Sequence, residues 1–139
     1  MIQIIAGEKG KGKTKILLEK VAAEVKTTNG NVAYLDKNTK HMYELNNKVR
    51  LINVRDYLVE NYHEFLGFIC GILSQDHDLE KVYLDSFLKI SCAEEKDVKE
   101  LLDKLTKVSE TFKVDFVISI SENKQQIPEE YQKDIIVAL

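Results

Sequence analysis

The sequence predicts a three-layer α/β protein, in which helices cover both faces of a mainly parallel sheet. Three observations indicate this architecture: short continuous apolar runs, stretches of helical periodicity between them, and turn signals that separate the two. Continuous apolar runs are typical of strands buried on both faces of a parallel sheet, and their alternation with helices favours that arrangement. Because no repeat, linker or biased segment interrupts the pattern, we assign residues 1–139 to a single domain.

The first predicted element is a strand that leads through glycines into a helix. Ile2 to Ala6 is a continuous apolar run, and Gly7 follows it directly. From Lys13 onwards apolar residues recur at helical spacing, and the pattern ends at Asn29-Gly30, where glycine accommodates a left-handed terminating residue. The segment therefore predicts strand, glycine loop and helix in that order.

The middle of the chain predicts two further buried strands and a second helix. Val32 to Leu35 is one apolar run, Lys81 to Asp85 is another, and Val49 to Val54 is consistent with an additional edge strand. Apolar residues keep a helical period from Leu58 to Leu73. The spacing of Gly67 and Gly71 within this helix indicates close packing against a neighbouring helix.

The carboxyl-terminal part predicts a third helix and two strands. Ser91 and Glu94 have the spacing of a capping box, and a single apolar face extends from Val98 to Phe112. Val114 to Ile120 and Asp134 to Leu139 are the last apolar runs. The complete prediction is a sheet of five principal strands.

Composition and charge exclude several classes of protein. The chain has 44% hydrophobic and 31% charged residues and a formal net charge of -3, which lacks the basic excess of a dedicated nucleic-acid binder. Cys70 and Cys92 lie far apart and without metal-ligand spacing, as expected in a reducing compartment. No signal peptide is expected, and the apolar stretch from Phe65 to Leu73 is shorter than the about 20 residues that span a bilayer. We expect a cytoplasmic protein without membrane contact.

Residues 7–14 carry the most specific signal in the sequence. They match G-x-x-x-x-G-K-[ST] at every fixed position, between a predicted strand and a predicted helix, which is the context of a phosphate-binding loop. Glycines in such a loop turn backbone N–H groups toward phosphates, and the helix N-terminus adds its positive end. We expect Lys13 to reach the β- and γ-phosphates as a catalytic residue and Thr14 to bind Mg²⁺. The predicted nucleotide-binding residues are Gly7, Glu8, Lys9, Gly10, Lys11, Gly12, Lys13 and Thr14.

Asp85 is the second predicted magnesium residue. It ends the apolar run Val82-Tyr83-Leu84, and a magnesium ion held by phosphates and Thr14 needs a further acidic residue at the end of an adjacent strand for its orientation. An ordinary strand-ending aspartate is the alternative interpretation.

The chain resembles the RecA-like branch of P-loop NTPases along nearly its whole length. IIAGEKGKGKTKILLEKVA is similar to the first strand, loop and helix of that branch, NVAYLDKN to its second strand and KVYLDS to its third, while VDFVISISEN and DIIVAL are similar to the fourth and fifth. The chain also resembles small P-loop proteins of Firmicutes. The resemblance implies the strand order 5-1-4-3-2, with the nucleotide at the carboxyl edge of the sheet.

The resemblance also implies a polar γ-phosphate sensor after the fourth strand. Ser119, Ser121, Glu122 and Asn123 lie at that place, and Glu122 is the candidate general base.

Two departures from the family pattern bear on turnover. Ser86 stands where many hydrolysing relatives carry a water-activating glutamate, and Asn38 lies nearest to the position of the catalytic glutamate of RecA. The only arginines, Arg50 and Arg55, are expected at surface or edge-strand positions. We therefore expect a protein that binds Mg²⁺ and ATP and is either a slow ATPase or a nucleotide-dependent regulatory module.

Two other functions stay open at this point: a small-molecule kinase, and a non-catalytic interaction protein with ATP as a structural ligand. ATP is preferred over GTP because Gln126 stands where the guanine-reading N-K-x-D has its aspartate. A protein partner or a second copy of the chain is compatible with the sequence, and nucleic acid is not indicated. The histidines show no ligand spacing, and the acidic stretch from Gln75 to Glu80 predicts a solvated turn.

Overall fold

The computed structural model describes residues 1–139 and contains six strands and four α-helices. In chain order they are β1 (Ile2–Ala6), α1 (Lys13–Glu24), β2 (Asn31–Asp36), β3 (Val49–Asn53), α2 (Tyr62–Ser74), β4 (Leu79–Leu84), α3 (Phe87–Ser91), α4 (Val98–Phe112), β5 (Asp115–Ile120) and β6 (Ile135–Ala138). All strand pairings are parallel. The predicted α/β architecture with a parallel sheet is confirmed.

The sheet has six strands in the order β3-β2-β4-β5-β1-β6, so the prediction of five strands is wrong in number. The five strands predicted as principal do lie in the expected order, since they correspond to β1, β2, β4, β5 and β6. The sixth strand, β3, extends the edge by pairing with β2 from Val32↔Val49 to Asp36↔Asn53. Only Val49 of β3 is fully buried, which explains why this edge strand has a weaker apolar pattern than the central strands.

The hydrophobic core lies on both faces of the sheet and is unequal in size. Helix α1 packs on one face, where Leu17 and Val21 meet side chains such as Tyr34 and Val117 in a cluster of 8 buried residues. Helices α2, α3 and α4 cover the other face in a cluster of 26 buried residues. The three layers therefore consist of one helix, the sheet and three helices.

Helix α2 begins later than its apolar pattern predicts. Leu58 is exposed and adopts a left-handed conformation with φ 62°, so the chain turns there instead of continuing as a helix. The helix begins after Asn61, whose side chain accepts a hydrogen bond of 2.9 Å from the Glu64 N–H. The predicted close packing at Gly67 and Gly71 is wrong, because nothing lies within 4 Å of a Cβ built at either residue.

The capping box predicted for Ser91 and Glu94 is also wrong. The Ser91 hydroxyl bonds back to the Phe87 carbonyl at 2.6 Å and closes α3. Glu94 instead pairs with Asp97, and this box starts the 3₁₀ turn that leads into α4. The residue types were suitable for a cap, but the chain breaks its helix between the two predicted partners.

The parallel topology gathers different side chains at the two edges of the sheet. The carboxyl ends of β1, β2, β4 and β5 lie together, so the loops that follow them meet there. At the opposite edge, the buried Asp76 carboxylate accepts hydrogen bonds from the Asn31 amide. It also forms an ion pair with Arg50 at 2.9 Å. The stretch predicted as a solvated turn therefore contains a buried structural carboxylate.

None of the four helices combines the length and the apolar character that crossing a bilayer requires.

Candidate functional site

Residues 7–14, which we call the glycine-rich loop, connect β1 to α1. Gly10 and Gly12 have φ values of 85° and 94°, a left-handed region in which a side chain is strained. Gly12 directly precedes α1, and no side chain caps this helix. Because the first N–H groups of a helix lack partners within it, the loop and helix present backbone donors and a partial positive charge to the carboxyl edge of the sheet.

A cavity of about 210 Å³ lies against the glycine-rich loop. It is lined by polar and glycine residues from the loops after β1, β2, β4 and β5, from the end of β5 and from α1 and α3, without a single apolar side chain. Four of these residues are lysines and only one is acidic, so the cavity is strongly cationic although the whole chain is slightly acidic. The lining residues are Lys9, Gly10, Gly12, Lys13, Thr14, Lys37, Asp85, Ser86, Lys89, Ser119 and Ser121.

Lys13 is the most buried lysine of this cavity, with 8% of its surface exposed. Its Nζ donates a hydrogen bond of 3.0 Å to the carbonyl oxygen of Glu8, which holds the side chain across the loop. Burial lowers the pKa of Lys13, and the nearby charge of Asp85 acts in the opposite direction. An incoming anion would replace the solvation that this ammonium group has lost.

The Asp85 carboxylate, 3% exposed, accepts hydrogen bonds from three hydroxyl groups. Thr14 and Tyr34 both donate to Oδ2, at 2.9 and 2.8 Å. Ser119 donates to Oδ1 at 2.7 Å and accepts from the Ser86 N–H at 2.9 Å. These bonds satisfy a buried charge and fix its position relative to α1, β2 and β5.

The residues predicted to hold Mg²⁺ fit that ion. Thr14 and Asp85 lie side by side at the cavity, and the hydroxyl and carboxylate oxygens that they offer are the ligands that a hard divalent cation prefers. No group of three or more His, Cys, Asp or Glu side chains forms a separate metal site elsewhere.

A second, smaller cavity of about 160 Å³ adjoins Thr14 and Asp85 and is also lined by Asp36. Asp36 is buried, and its carboxylate accepts a hydrogen bond of 2.7 Å from the Lys37 N–H. Burial raises the pKa of Asp36, although that N–H bond opposes the effect. Asp36 therefore shares this cavity with Thr14 and Asp85.

Glu122 lies outside the cavity, whereas its neighbour Ser121 lines it. The Glu122 side chain is 3% exposed, and its Oε1 has no hydrogen-bond partner. Burial raises the pKa of this carboxyl, and the negative charge of Glu95 raises it further. The structure therefore does not bring Glu122 together with Lys13, and its role as a general base stays a prediction.

Three other predicted loop residues lie outside the cavity lining. Gly7 is buried, and its N–H bonds to the Ile120 carbonyl at 3.3 Å, which joins the loop to β5. Glu8 contributes its backbone carbonyl to Lys13, and Lys11 is exposed. These residues shape the loop, while Lys9, Gly10, Gly12, Lys13 and Thr14 face the cavity.

Comparison with known proteins shows the fold. The chain is similar to the crystal structure of the flagellar accessory protein FlaH from Methanocaldococcus jannaschii, with a TM-score of 0.61 and 15% sequence identity. The similarity covers 93% of this chain and 63% of that chain. This likeness shows a three-layer α/β fold with a parallel sheet. No family model matches the sequence, and no curated protein does.

Sequence reasoning missed the cavity lysines Lys37 and Lys89. It also missed Tyr34. The sequence places it in an apolar run, where a buried aromatic residue is expected to serve packing alone. In the structure its ring stacks on Tyr83 with centroids 6.3 Å apart, while its hydroxyl reaches Asp85. A hydroxyl-bearing residue two positions before a strand-ending Asp36 is the signal that points to this role.

Proposed function

We propose that the chain binds ATP together with Mg²⁺ as a P-loop protein of the RecA-like kind. The observation that carries this proposal is the cationic cavity against the glycine-rich loop, in which Lys13 and Thr14 meet the Asp85 carboxylate. Left-handed glycines, a helix N-terminus and a buried lysine are the elements that cradle phosphates. They meet in one cavity here, although Asp85 is 71 residues distant from Thr14 in sequence.

In this proposal the loop and Lys13 hold the phosphates, and Thr14 and Asp85 hold Mg²⁺. A bound magnesium ion supplies charge neutralisation to the β- and γ-phosphates. Tyr34 and Ser119 keep Asp85 oriented, because their hydroxyl groups occupy one oxygen each. The Lys13 ammonium group donates one hydrogen bond to the Glu8 carbonyl at 3.0 Å, so two of its three N–H donors stay available for phosphate oxygens.

We further propose that hydrolysis is slow, and that the protein acts as a weak ATPase or as a nucleotide-dependent regulatory module. Asp85 is the one carboxylate that lines the cavity against the glycine-rich loop, and it accepts hydrogen bonds from three hydroxyl groups. Asp36 in the adjoining cavity is the carboxylate best placed to accept a proton from water, whereas Glu122 lines neither cavity. A regulatory module of this kind would act on a protein partner or on a second copy of the chain.

Thermal unfolding with nucleotides tests the proposal directly. A ligand at about 100 times its Kd stabilises a protein by about 2.7 kcal/mol, which raises the Tm of a domain of this size by several degrees. We expect such a shift with ATP and Mg²⁺, a smaller shift with GTP, and none with ATP for Lys13→Ala.

Lys15→Ala is the matched control, because Lys15 is the next lysine of α1 and does not line the main cavity. It should keep the ATP shift. A shift that survives in Lys13→Ala, or the absence of a shift in the wild-type protein with any nucleotide, would refute the assignment of the loop.

A further inference from the structure

Two lysines of the cavity come from segments that lie outside the glycine-rich loop and α1. Lys37 directly follows β2, and Lys89 lies in α3. Both line the cavity against the glycine-rich loop, together with Lys9 and Lys13 of that loop. Lysines from three separate segments of the chain therefore line the same cavity.

These four lysines have no acidic partner at ion-pair distance. Lysines elsewhere in the structure do pair, for example Lys81 with Glu24 at 3.4 Å and Lys99 with Asp103 at 2.9 Å. None of the ion pairs of the structure includes a lysine of the cavity. Like charges at close range repel one another, and a bound anion relieves that repulsion. A cluster of lysines without ion-pair partners therefore favours the binding of a multiply charged anion.

Lys89 experiences this repulsion most clearly. The charges of Lys37 and Lys9 lower the pKa of Lys89, and the charge of Arg55 lowers it to a smaller extent. Asp85 lies across the cavity lining but is held by hydroxyl groups of Thr14, Tyr34 and Ser119. The local surroundings of Lys89 thus lack an anion that the protein itself supplies.

We propose that Lys37 and Lys89 form a subsite for the terminal phosphate of a nucleoside triphosphate, so that this chain distinguishes triphosphate from diphosphate with its own lysines. This inference rests on the proposed function. The glycine-rich loop and Lys13 account for the phosphates nearest the loop, whereas Lys37 and Lys89 approach from other segments and meet the part of the ligand that extends beyond it. The terminal phosphate would then connect the segment after β2 to α3, which makes both segments responsive to hydrolysis.

Isothermal titration calorimetry with ATP and ADP, both with Mg²⁺, tests the subsite. A charge-assisted hydrogen bond to phosphate contributes enough that its removal lowers affinity about tenfold or more. For Lys37→Gln and Lys89→Gln we expect this loss for ATP and a change below about threefold for ADP. Inorganic triphosphate and pyrophosphate should show the same contrast, since the effect depends on phosphate alone.

Two further variants control the experiment. Lys107→Gln removes the same charge from an exposed position of α4 and should leave both affinities unchanged. Lys89→Arg keeps the charge and should keep the preference for ATP. Because removal of a like charge relieves repulsion, neither glutamine variant should lower the Tm of the protein without ligand.

The failures of the two proposals are distinguishable. If the glutamine variants lose ATP and ADP affinity equally, or lose neither, the subsite is refuted while nucleotide binding stands. If the wild-type protein binds neither nucleotide, the proposed function is refuted and the subsite with it. An ATP preference that Lys89→Gln abolishes and Lys89→Arg restores supports the subsite.

Discussion

The Thr14 hydroxyl lies 2.9 Å from Oδ2 of Asp85, although 71 residues separate the two in sequence. Thr14 lies in the first turn of α1, and Asp85 follows β4, so only the parallel order of β1, β5 and β4 brings them together. The contact joins the two residues predicted to hold magnesium.

Asp85→Asn should weaken magnesium-dependent ATP binding by about tenfold or more and affect the binding of metal-free ATP much less. The amide keeps the shape of the side chain but lacks the negative charge that attracts a divalent cation. Titration calorimetry with and without Mg²⁺ measures the difference. Equal losses under the two conditions would identify Asp85 as a structural aspartate.

Tyr34→Phe should lower the free energy of unfolding by about 1 to 2 kcal/mol, because Asp85 loses one of its three hydroxyl donors in a buried site. Urea unfolding provides the measurement. Tyr83→Phe is the matched control, since Tyr83 stacks on Tyr34 at 6.3 Å and makes no hydrogen bond to Asp85. A loss of the same size in both variants would show that the Tyr34 hydroxyl contributes nothing specific.

Glu122→Gln should make the protein more stable than the wild type at neutral pH. Burial and Glu95 raise the pKa of Glu122 above its ordinary value of 4.5, so the folded state favours the protonated form. The stability from this group is fully present below the unfolded pKa and is lost as pH rises through the higher folded pKa. Urea unfolding from about pH 4 to about pH 8 should therefore show an advantage of the variant that grows with pH. A constant difference would mean that folding leaves the pKa of this carboxyl unchanged.

Asp76→Ala should destabilise the fold by about 1 to 3 kcal/mol without changing nucleotide affinity. The variant leaves the Asn31 amide and Arg50 without their shared acceptor, at the sheet edge opposite the cavity. Asp78→Ala is the control, because Asp78 is exposed in the same turn. Urea unfolding measures the loss of stability, and titration with ATP measures nucleotide affinity. A loss of ATP affinity at unchanged stability would contradict a structural role of Asp76.

Gly12→Ala and Gly71→Ala should change stability in opposite directions. Nothing lies within 4 Å of a Cβ at either glycine, so sterics with neighbours play no part. Gly12 has φ 94°, where alanine is strained by about 1 to 2 kcal/mol. Gly71 lies inside α2, where alanine stabilises by up to about 1 kcal/mol. A stabilising effect of Gly12→Ala in thermal unfolding would contradict the left-handed loop conformation.

The central strands and the long helix α4 were predictable because their patterns are local. Strands such as β1 and β5 are buried on both faces, so their residues form apolar runs, and α4 shows one apolar face. The edge strand β3 depends on its pairing with β2, and its local apolar pattern is weak. The start of α2 at Asn61 and the break between Ser91 and Glu94 are set by local hydrogen bonds that apolar periodicity does not reveal.

The sequence by itself determined the alternation of strands and helices and the spacing of the glycine-rich loop, because period and motif are properties of neighbouring residues. Tertiary structure alone decided that Tyr34 and Ser119 hold Asp85, that Lys37 and Lys89 join the loop lysines, and that Glu122 lies outside the cavity. The physical reason is that a parallel sheet brings together the carboxyl ends of strands whose connections cross over through helices. Strand order and register decide which side chains meet at this edge of the sheet. Neither can be predicted from a local sequence pattern.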